Sequence, residues 1–361
     1  MQLSPSGSVR LEVSVIVPAR NEEACLGACL ASLTGQQNVA FEVIVVDDGS
    51  TDATGAIAHS FPGVRVIETA PLPVGWSGKS NAVYTGALQA RGEWLLFTDA
   101  DTLHLPNSLA RALDEAKRHG AEMLSYSPAQ ELHGFIQRAV MPVIFAELAS
   151  TYRPREVNDP NSPAAAANGQ YLLITREAYD AVGGHAAIAA CLLEDVELAR
   201  VVKRSRRRIR FRFGGDAVRT RMYRSFSQLV EGWTKNLALL FKTPTRLAII
   251  ALLEFLAIVV GVMFAALNRS GELLAVLVGI AVALIYLNFF RRLLRAHADV
   301  LSNTLAVFGL PIFSYLLLRS KLYYKWRRSV TWKGRLYSTQ VRNQQNERRT
   351  SACPAGERWS T

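Results

Sequence analysis

Cysteine is scarce in this chain and poorly spaced for metal. There are 4, at Cys25, Cys29, Cys191 and Cys353. No two form a Cys-x-x-Cys pair, which argues against a structural zinc site and offers no disulfide framework. Cys25 and Cys29 are four apart on an expected helix and read as small packing residues in a reducing compartment. No long apolar run precedes the first strand-like segment, so no signal peptide is expected. A phosphate loop is also missing. "GWSGKS" ends in Gly-Lys-Ser, but a Walker A loop needs glycine where Pro73 stands. No nucleic-acid motif accompanies the formal charge of +11. The basic residues gather beside apolar runs, so anionic lipid or phosphate is the expected partner and nucleic acid is not.

The first hundred residues alternate between two periodicities. "EVSVIVPA", "FEVIVVDDGS", "VRVIET" and "EWLLFTDAD" are β-rich runs. "NEEACLGACLASL", "TDATGAIAHSF" and "SGKSNAVYTGALQAR" between them have helical spacing. Strand–helix alternation with short links predicts a largely parallel α/β sheet, which binds ligands beyond the carboxyl ends of its strands. Asp47, Asp48, Asp99 and Asp101 all fall at such ends. In an extended chain Asp99 and Asp101 point to one side, and two adjacent carboxylates call for a positive partner, commonly a hard divalent cation. The alternative is a turn with Asp101 capping a helix. Further strands, some antiparallel, are expected in "AEMLSYSP", "NGQYLLITREAYDAVGG" and "RIRFRFG", with "NDPNSPAAAANG" as a loop. The basic stretch from Arg200 to Arg212 is expected to meet lipid headgroups or phosphates.

The last third changes character. Leu247–Leu267 is apolar except for Glu254, and Leu273–Phe290 except for Asn288. Each is close to the roughly 20 residues that span a bilayer. The short link "NRSGE" makes them a hairpin. Lys235, Lys242 and Arg246 precede it, and Arg291, Arg292 and Arg295 follow. Basic flanks on both sides place both ends in the cytosol. A charged Glu254 at a span's centre costs roughly 2.5–3.5 kcal/mol, so it is expected to face protein or the interface. The shorter run Leu305–Leu318 contains Pro311 and is expected to be re-entrant or interfacial rather than spanning. After Tyr337 the polar tail is expected to be disordered.

"VSVIVPARNEEACLGACLASL", "VIVVDDGSTDAT", "GWSGKSNAVYTGALQARGEWLLFTDAD" and "LLEDVELARVVK" together resemble the successive motifs of the family 2 glycosyltransferases. The resemblance covers about residues 10 to 240 and implies a GT-A fold, an α/β nucleotide-sugar-binding domain with a mostly parallel sheet and flanking helices. The C-terminal apolar region resembles the membrane-bound branch, which glycosylates carotenoid, hopanoid and ceramide-like lipids. The chain then divides into a GT-A domain at 10–240, a transmembrane hairpin with a third apolar segment at 241–325, and a basic, partly disordered tail at 326–361.

The resemblance assigns roles residue by residue. Asp99 and Asp101 become the Asp-x-Asp motif that holds Mn²⁺ or Mg²⁺ on the donor diphosphate, Asp101 as the direct ligand, with Asp99 alternatively reaching the ribose. Pro18, Ala19, Arg20 and Asn21 wrap the base, and Glu22 joins them or serves the helix N-terminus. Asp47 and Asp48 bind base or ribose, the alternative being a turn start before Gly49. Lys79 sits near the diphosphate, the alternative being a surface lysine. Asp195 is the base that takes the acceptor's proton, with Glu194 orienting it or the acceptor. Trp233 is expected to line the acceptor groove. Arg221, Arg224 and Lys235 are further candidates for the diphosphate. One base and one displacement imply inversion, from a nucleotide-diphosphate sugar to a hydroxyl or carboxyl of a lipid-like acceptor at the cytosolic face of the cell membrane. Processive relatives carry Gln-x-x-Arg-Trp. "QLVEGW" lacks that arginine and spacing, which disfavours the alternative of a polysaccharide synthase. A noncatalytic nucleotide-sugar-binding membrane protein is the other alternative, against which all the expected acids are present.

Overall fold

The computed structural model describes residues 11–268, 273–327, 329–332 and 335–338. The first half builds β1 (Val13–Ala19), α1 (Leu26–Thr34), β2 (Phe41–Asp47), α2 (Thr54–His59), β3 (Val64–Glu68), α3 (Gly78–Gln89), β4 (Trp94–Phe97), β5 (Thr102–His104) and α4 (Ser108–Arg118). The middle adds β6 (Met123–Ser127), β7 (Ala129–Gln130), α5 (Gly134–Thr151), α6 (Pro154–Asn158), β8 (Leu172–Thr175), α7 (Arg176–Ala181), α8 (Glu194–Arg204), β9 (Ile209–Phe213), β10 (Val218–Thr220) and α9 (Phe226–Leu240). The last part is helical, with α10 (Pro244–Leu267), α11 (Leu273–Leu293), α12 (Val300–Leu305) and α13 (Gly309–Leu322), and ends in an antiparallel strand pair, β11 (Ser329–Trp332) and β12 (Arg335–Ser338).

Seven strands form one sheet in the order β3-β2-β1-β4-β8-β6-β9. β3, β2, β1 and β4 are parallel, and β6 pairs parallel with β9. β8 runs against both its neighbours, β4 and β6. The mixed sheet with flanking helices is therefore as expected. Period-2 alternation explains the layering. Val13, Val15 and Val17 of β1 enter the core under α1 and α4, while Ile16 enters the core under α3. A fully buried Val or Ile contributes about 1.5–3 kcal/mol, so these strands anchor the domain. α3 lies close on the sheet because Gly86 leaves room; an added Cβ there would stand 2.6 Å from Ile16 Cγ2.

A second, three-stranded sheet, β5-β10-β7, flanks the turn after β4. The spacing rule for Asp99 and Asp101 needs correcting here. β4 ends at Phe97, and the two aspartates stand on a turn in which Thr102 N–H and Oγ1 both bond to the Asp99 carbonyl, at 3.3 and 2.7 Å. β5 follows, so Asp101 caps no helix.

α10 and α11 are long and apolar enough to cross a membrane, and so is the helical run Val300–Trp326. The runs differ in packing. The most apolar stretch of Val300–Trp326 is 56% buried in protein, against 17% and 11% for the two hairpin helices. Its ends are tied to the domain, through Asp299 to Arg138 at 3.5 Å and through Ser320 Oγ to the Thr234 carbonyl at 2.6 Å. Gly309 of α13 sits where a Cβ would fall 2.0 Å from the Ala139 carbonyl oxygen of α5. Most of the link Asn268–Glu272 and the tail beyond Ser338 lie outside the described residues.

Glu254 faces protein, as its charge requires. Arg292 pairs with it and also with Glu147 of α5 at 3.2 Å. One guanidinium between two carboxylates ties the hairpin to the domain. The basic stretch behaves differently from expectation. Arg210 and Arg212 pair with Glu115 at 2.9 Å, Arg207 with Glu122 and Glu177, and Lys203 donates to the carbonyls of Val157 and Asp159. Much of that charge is neutralised inside the domain. Arg204, Arg206 and Arg208 stay exposed.

Candidate active site

The carboxyl ends of β1, β2 and β4 open into one cavity of about 660 Å³. Pro18, Ala19, Arg20, Asn21 and Glu22 form one wall, held by long-range bonds. Arg20 Nη1 donates to the carbonyls of Asp48 at 2.5 Å and Gly49 at 3.2 Å, and Asn21 Oδ1 accepts from Thr51 N–H at 2.8 Å. Asn21 adopts a left-handed φ of 52° to make that turn. Asp48, Lys79, Asp99, Asp101, Glu194, Asp195 and Trp233 line the same cavity.

Lys79 is the hub. It is the second residue of α3, and its Nζ lies 2.8 Å from Asp99 and 2.8 Å from Glu194. Burial opposes its charge, but Asp99 and Glu194 outweigh burial and hold it well above the usual lysine range. Asp195 takes another role. Its Oδ2 accepts from Gly169 N–H at 2.9 Å and its Oδ1 from Val196 N–H at 2.8 Å, which fixes its plane. Burial, with Glu194 beside it, pushes Asp195 up to about 6, while Lys79 holds Glu194 below its ordinary value despite burial. Two adjacent acids thus separate into a permanent anion and a group poised to accept a proton.

Asp99 and Asp101 present their carboxylates to the cavity without a protein cage. Among the described residues no group of three or more His, Cys, Asp or Glu could hold a metal ion by itself. Lys79 occupies Asp99, and Gln170 Nε2 reaches Asp101 Oδ1 only at 3.5 Å. This donor set fits a hard cation that keeps waters and shares its remaining positions with phosphate oxygens.

Two sequence expectations meet a different geometry. Asp47 does not join the cavity walls. Its Oδ1 accepts from Ser50 N–H at 2.8 Å, so it shapes the turn after β2, and Asp48 alone faces the ligand space. Trp233 reaches the cavity but is 2% exposed; its Nε1 donates to Met141 Sδ at 3.4 Å and its ring packs edge-on to Phe145. Arg221, Arg224 and Lys235 all line the cavity, and burial lowers Lys235 against the pull of Glu194.

Sequence reading missed Gln170 and Gly169. Gln170 Nε2 bonds Thr220 Oγ1 at 3.0 Å, and Thr220 Oγ1 donates to the Asp101 carbonyl at 3.2 Å, so the second sheet steadies the aspartate turn. Gly169 leaves space for the lysine: an added Cβ would lie 3.0 Å from Lys79 Nζ. The "NGQ" preceding β8 was the available signal. Cys29 packs beneath the turn, its thiol pushed up to about 12 by burial, in keeping with a packing residue.

The turn after β4 and the first turns of α3 and α8 thus bring paired acids, a lysine and a further aspartate into one cleft. The profile described as "Glycosyl transferase family 2" matches residues 14–183. The chain belongs to this family and is a glycosyltransferase. It is 30% identical over 350 residues, covering 90% of this chain and 88% of the relative, to 4,4'-diaponeurosporenoate glycosyltransferase of Staphylococcus aureus strain MRSA252. The protein of the same description from strain USA300 is 28% identical over 344 residues, with 90% and 88% covered. Among solved structures, the mannosyltransferase PcManGT from Pyrobaculum calidifontis, in complex with GDP-Man and Mn²⁺, aligns over 90% of both chains at 18% identity and a TM-score of 0.49.

Proposed function

We propose that this protein transfers a sugar, with inversion, from a nucleotide-diphosphate sugar to the carboxyl or hydroxyl of a long apolar acceptor held in the membrane. The observation that carries the reading is Asp195, lifted to about 6, on the wall of the cavity where Lys79, Asp99 and Asp101 converge. Asp101, with Asp99, would hold Mn²⁺ or Mg²⁺, which supplies positive charge against the leaving diphosphate. Pro18 to Asn21 and Asp48 bind the nucleoside. Lys79 adds charge near the diphosphate and keeps Glu194 ionised. The acceptor oxygen attacks the anomeric carbon, the bond from that carbon to the diphosphate oxygen breaks with its electron pair, and Asp195 receives the acceptor's proton. An apolar carboxylic acid fits this scheme. A hydroxyl acceptor needs that base, and a carboxyl acceptor that enters protonated gives its proton to the same group.

The carboxylate-named relatives favour a carotenoid-type acid as acceptor. The hairpin α10–α11, with basic flanks, favours a multi-pass protein of the cell membrane whose catalytic domain faces the cytosol. The test is direct. Purified full-length protein in detergent is given Mn²⁺, a carotenoid carboxylic acid and a panel of radiolabelled nucleotide-sugars. One donor is expected to yield a single organic-soluble product, lost with EDTA. Label entering only high-mass aqueous polymer, or no transfer from any donor despite nucleotide binding, would overturn the reading.

A further inference from the structure

The cavity has an end that donor binding does not explain. The cavity lining also takes in Leu148 and Ala149 of α5, Phe211 and Phe213 of β9, Leu240 of α9, and Arg295, Ala296 and His297 after α11. These residues are apolar or aromatic apart from Arg295, whose Nη1 donates to Ser150 Oγ at 2.8 Å, whereas Lys79, Asp99, Asp101, Glu194 and Asp195 make the rest of the lining charged. Its position is equally specific. His297 follows α11 by a single short turn, Leu294–Ala296, so this wall forms where the hairpin returns to the domain. His297 holds a left-handed φ of 54° there, and its ring stacks on Phe213 with centroids 3.9 Å apart and planes 10° from parallel. Strand and hairpin thus meet through two flat rings. Volume supplies the third consideration. At about 660 Å³ the cavity falls in the range of a single small-molecule site, roughly 300–1,000 Å³. A nucleotide-sugar and the reacting head of an acceptor fill such a space, and a long chain attached to that head has to leave it.

We propose that the end of the cavity bounded by Ala149, Phe213 and His297 is the exit through which the acceptor's apolar chain runs from Asp195 to the bilayer. This rests on the acceptor reading above and deepens it. The occupant is a long unbranched or polyene chain with a single polar head. The stacked rings give it a flat wall, and the small side chain of Ala149 leaves room in the same lining.

Photolabelling tests this without requiring turnover. The full-length protein in lipid nanodiscs is irradiated with a long-chain fatty acid carrying a mid-chain diazirine, and adducts are mapped by mass spectrometry. Adducts are expected on the segments containing Ala149, Phe213 and His297, competed by excess unlabelled fatty acid. In Ala149→Phe these are expected to fall about tenfold, because the added ring fills the exit, while labelling of the lipid-facing residues of α10 and α11 persists. Adducts confined to α10 and α11 in the wild-type protein would overturn the proposal, whether or not the variant folds. Sugar transfer is scored separately. Transfer without exit labelling refutes the exit alone. Competed exit labelling without transfer to any apolar acceptor refutes the functional reading and leaves the exit standing.

Discussion

Replacing Glu194 with glutamine should move the acid limb of the pH–rate profile toward lower pH. In the proposed role Asp195 must be a carboxylate, so the rate is expected to fall as pH drops through about 6, the value to which burial and Glu194 push it. At pH 5 about one tenth of Asp195 is ionised, a tenfold loss from the plateau, or about 1.4 kcal/mol per unit. Two causes raise this group, burial first and the Glu194 charge second. Glu194→Gln removes the second and frees Lys79 from one of its two partners, which turns it toward Asp195. Both changes stabilise the Asp195 anion. The limb therefore shifts acid-ward but stops short of an ordinary aspartate, because burial remains. The plateau itself should fall, since Glu194 helps fix Lys79. The assay is initial transfer rate into the organic phase at saturating donor, from about pH 4.5 to 8.5. A limb that stays in place, or moves to higher pH, would refute the coupling of these two acids and the choice of Asp195 as base.

Other consequences follow from the same geometry. Asp101→Asn should lower transfer about 10²–10³-fold and weaken Mn²⁺ binding in calorimetry with donor present, because few protein oxygens share the cation. Arg292→Ala leaves Glu147 and Glu254 facing each other beside the hairpin; it should cost about 3 kcal/mol, read as a lower thermal midpoint in detergent, and Glu147→Gln/Glu254→Gln should restore part of it. Gly309→Ala forces α13 off α5 and should lower that midpoint and the transfer rate together while leaving nucleotide binding intact.

Much of this architecture was legible because it is periodic or local. Short β-rich apolar runs announced β1, β2 and β4, long apolar runs broken by Glu254 and Asn288 announced α10 and α11, and Glu194–Asp195 at a helix start needed only the pattern "LLEDVELA". What stayed hidden depends on distant partners. Nothing near Arg210 and Arg212 announces Glu115, which lies on α4 and pairs with both. Glu254 could be judged to need a partner, but Arg292 and Glu147 emerge only once α11 returns beside α5. Asp47 and Asp48 are adjacent and alike in type, and only the turn after β2 decides that one braces the loop and the other faces the cavity. Gln170 is informative only beside Thr220 and Asp101.

The most direct test of the central claim pairs two measurements on Asp195→Asn: donor affinity, by titration with the nucleotide-sugar and Mn²⁺, and transfer to the apolar acceptor. Asparagine keeps the shape and one acceptor oxygen but cannot take a proton. The account predicts donor affinity within about twofold of wild type and transfer reduced by at least about 10³-fold. Near-normal transfer would contradict it, and would show that the acceptor's proton leaves by some other group.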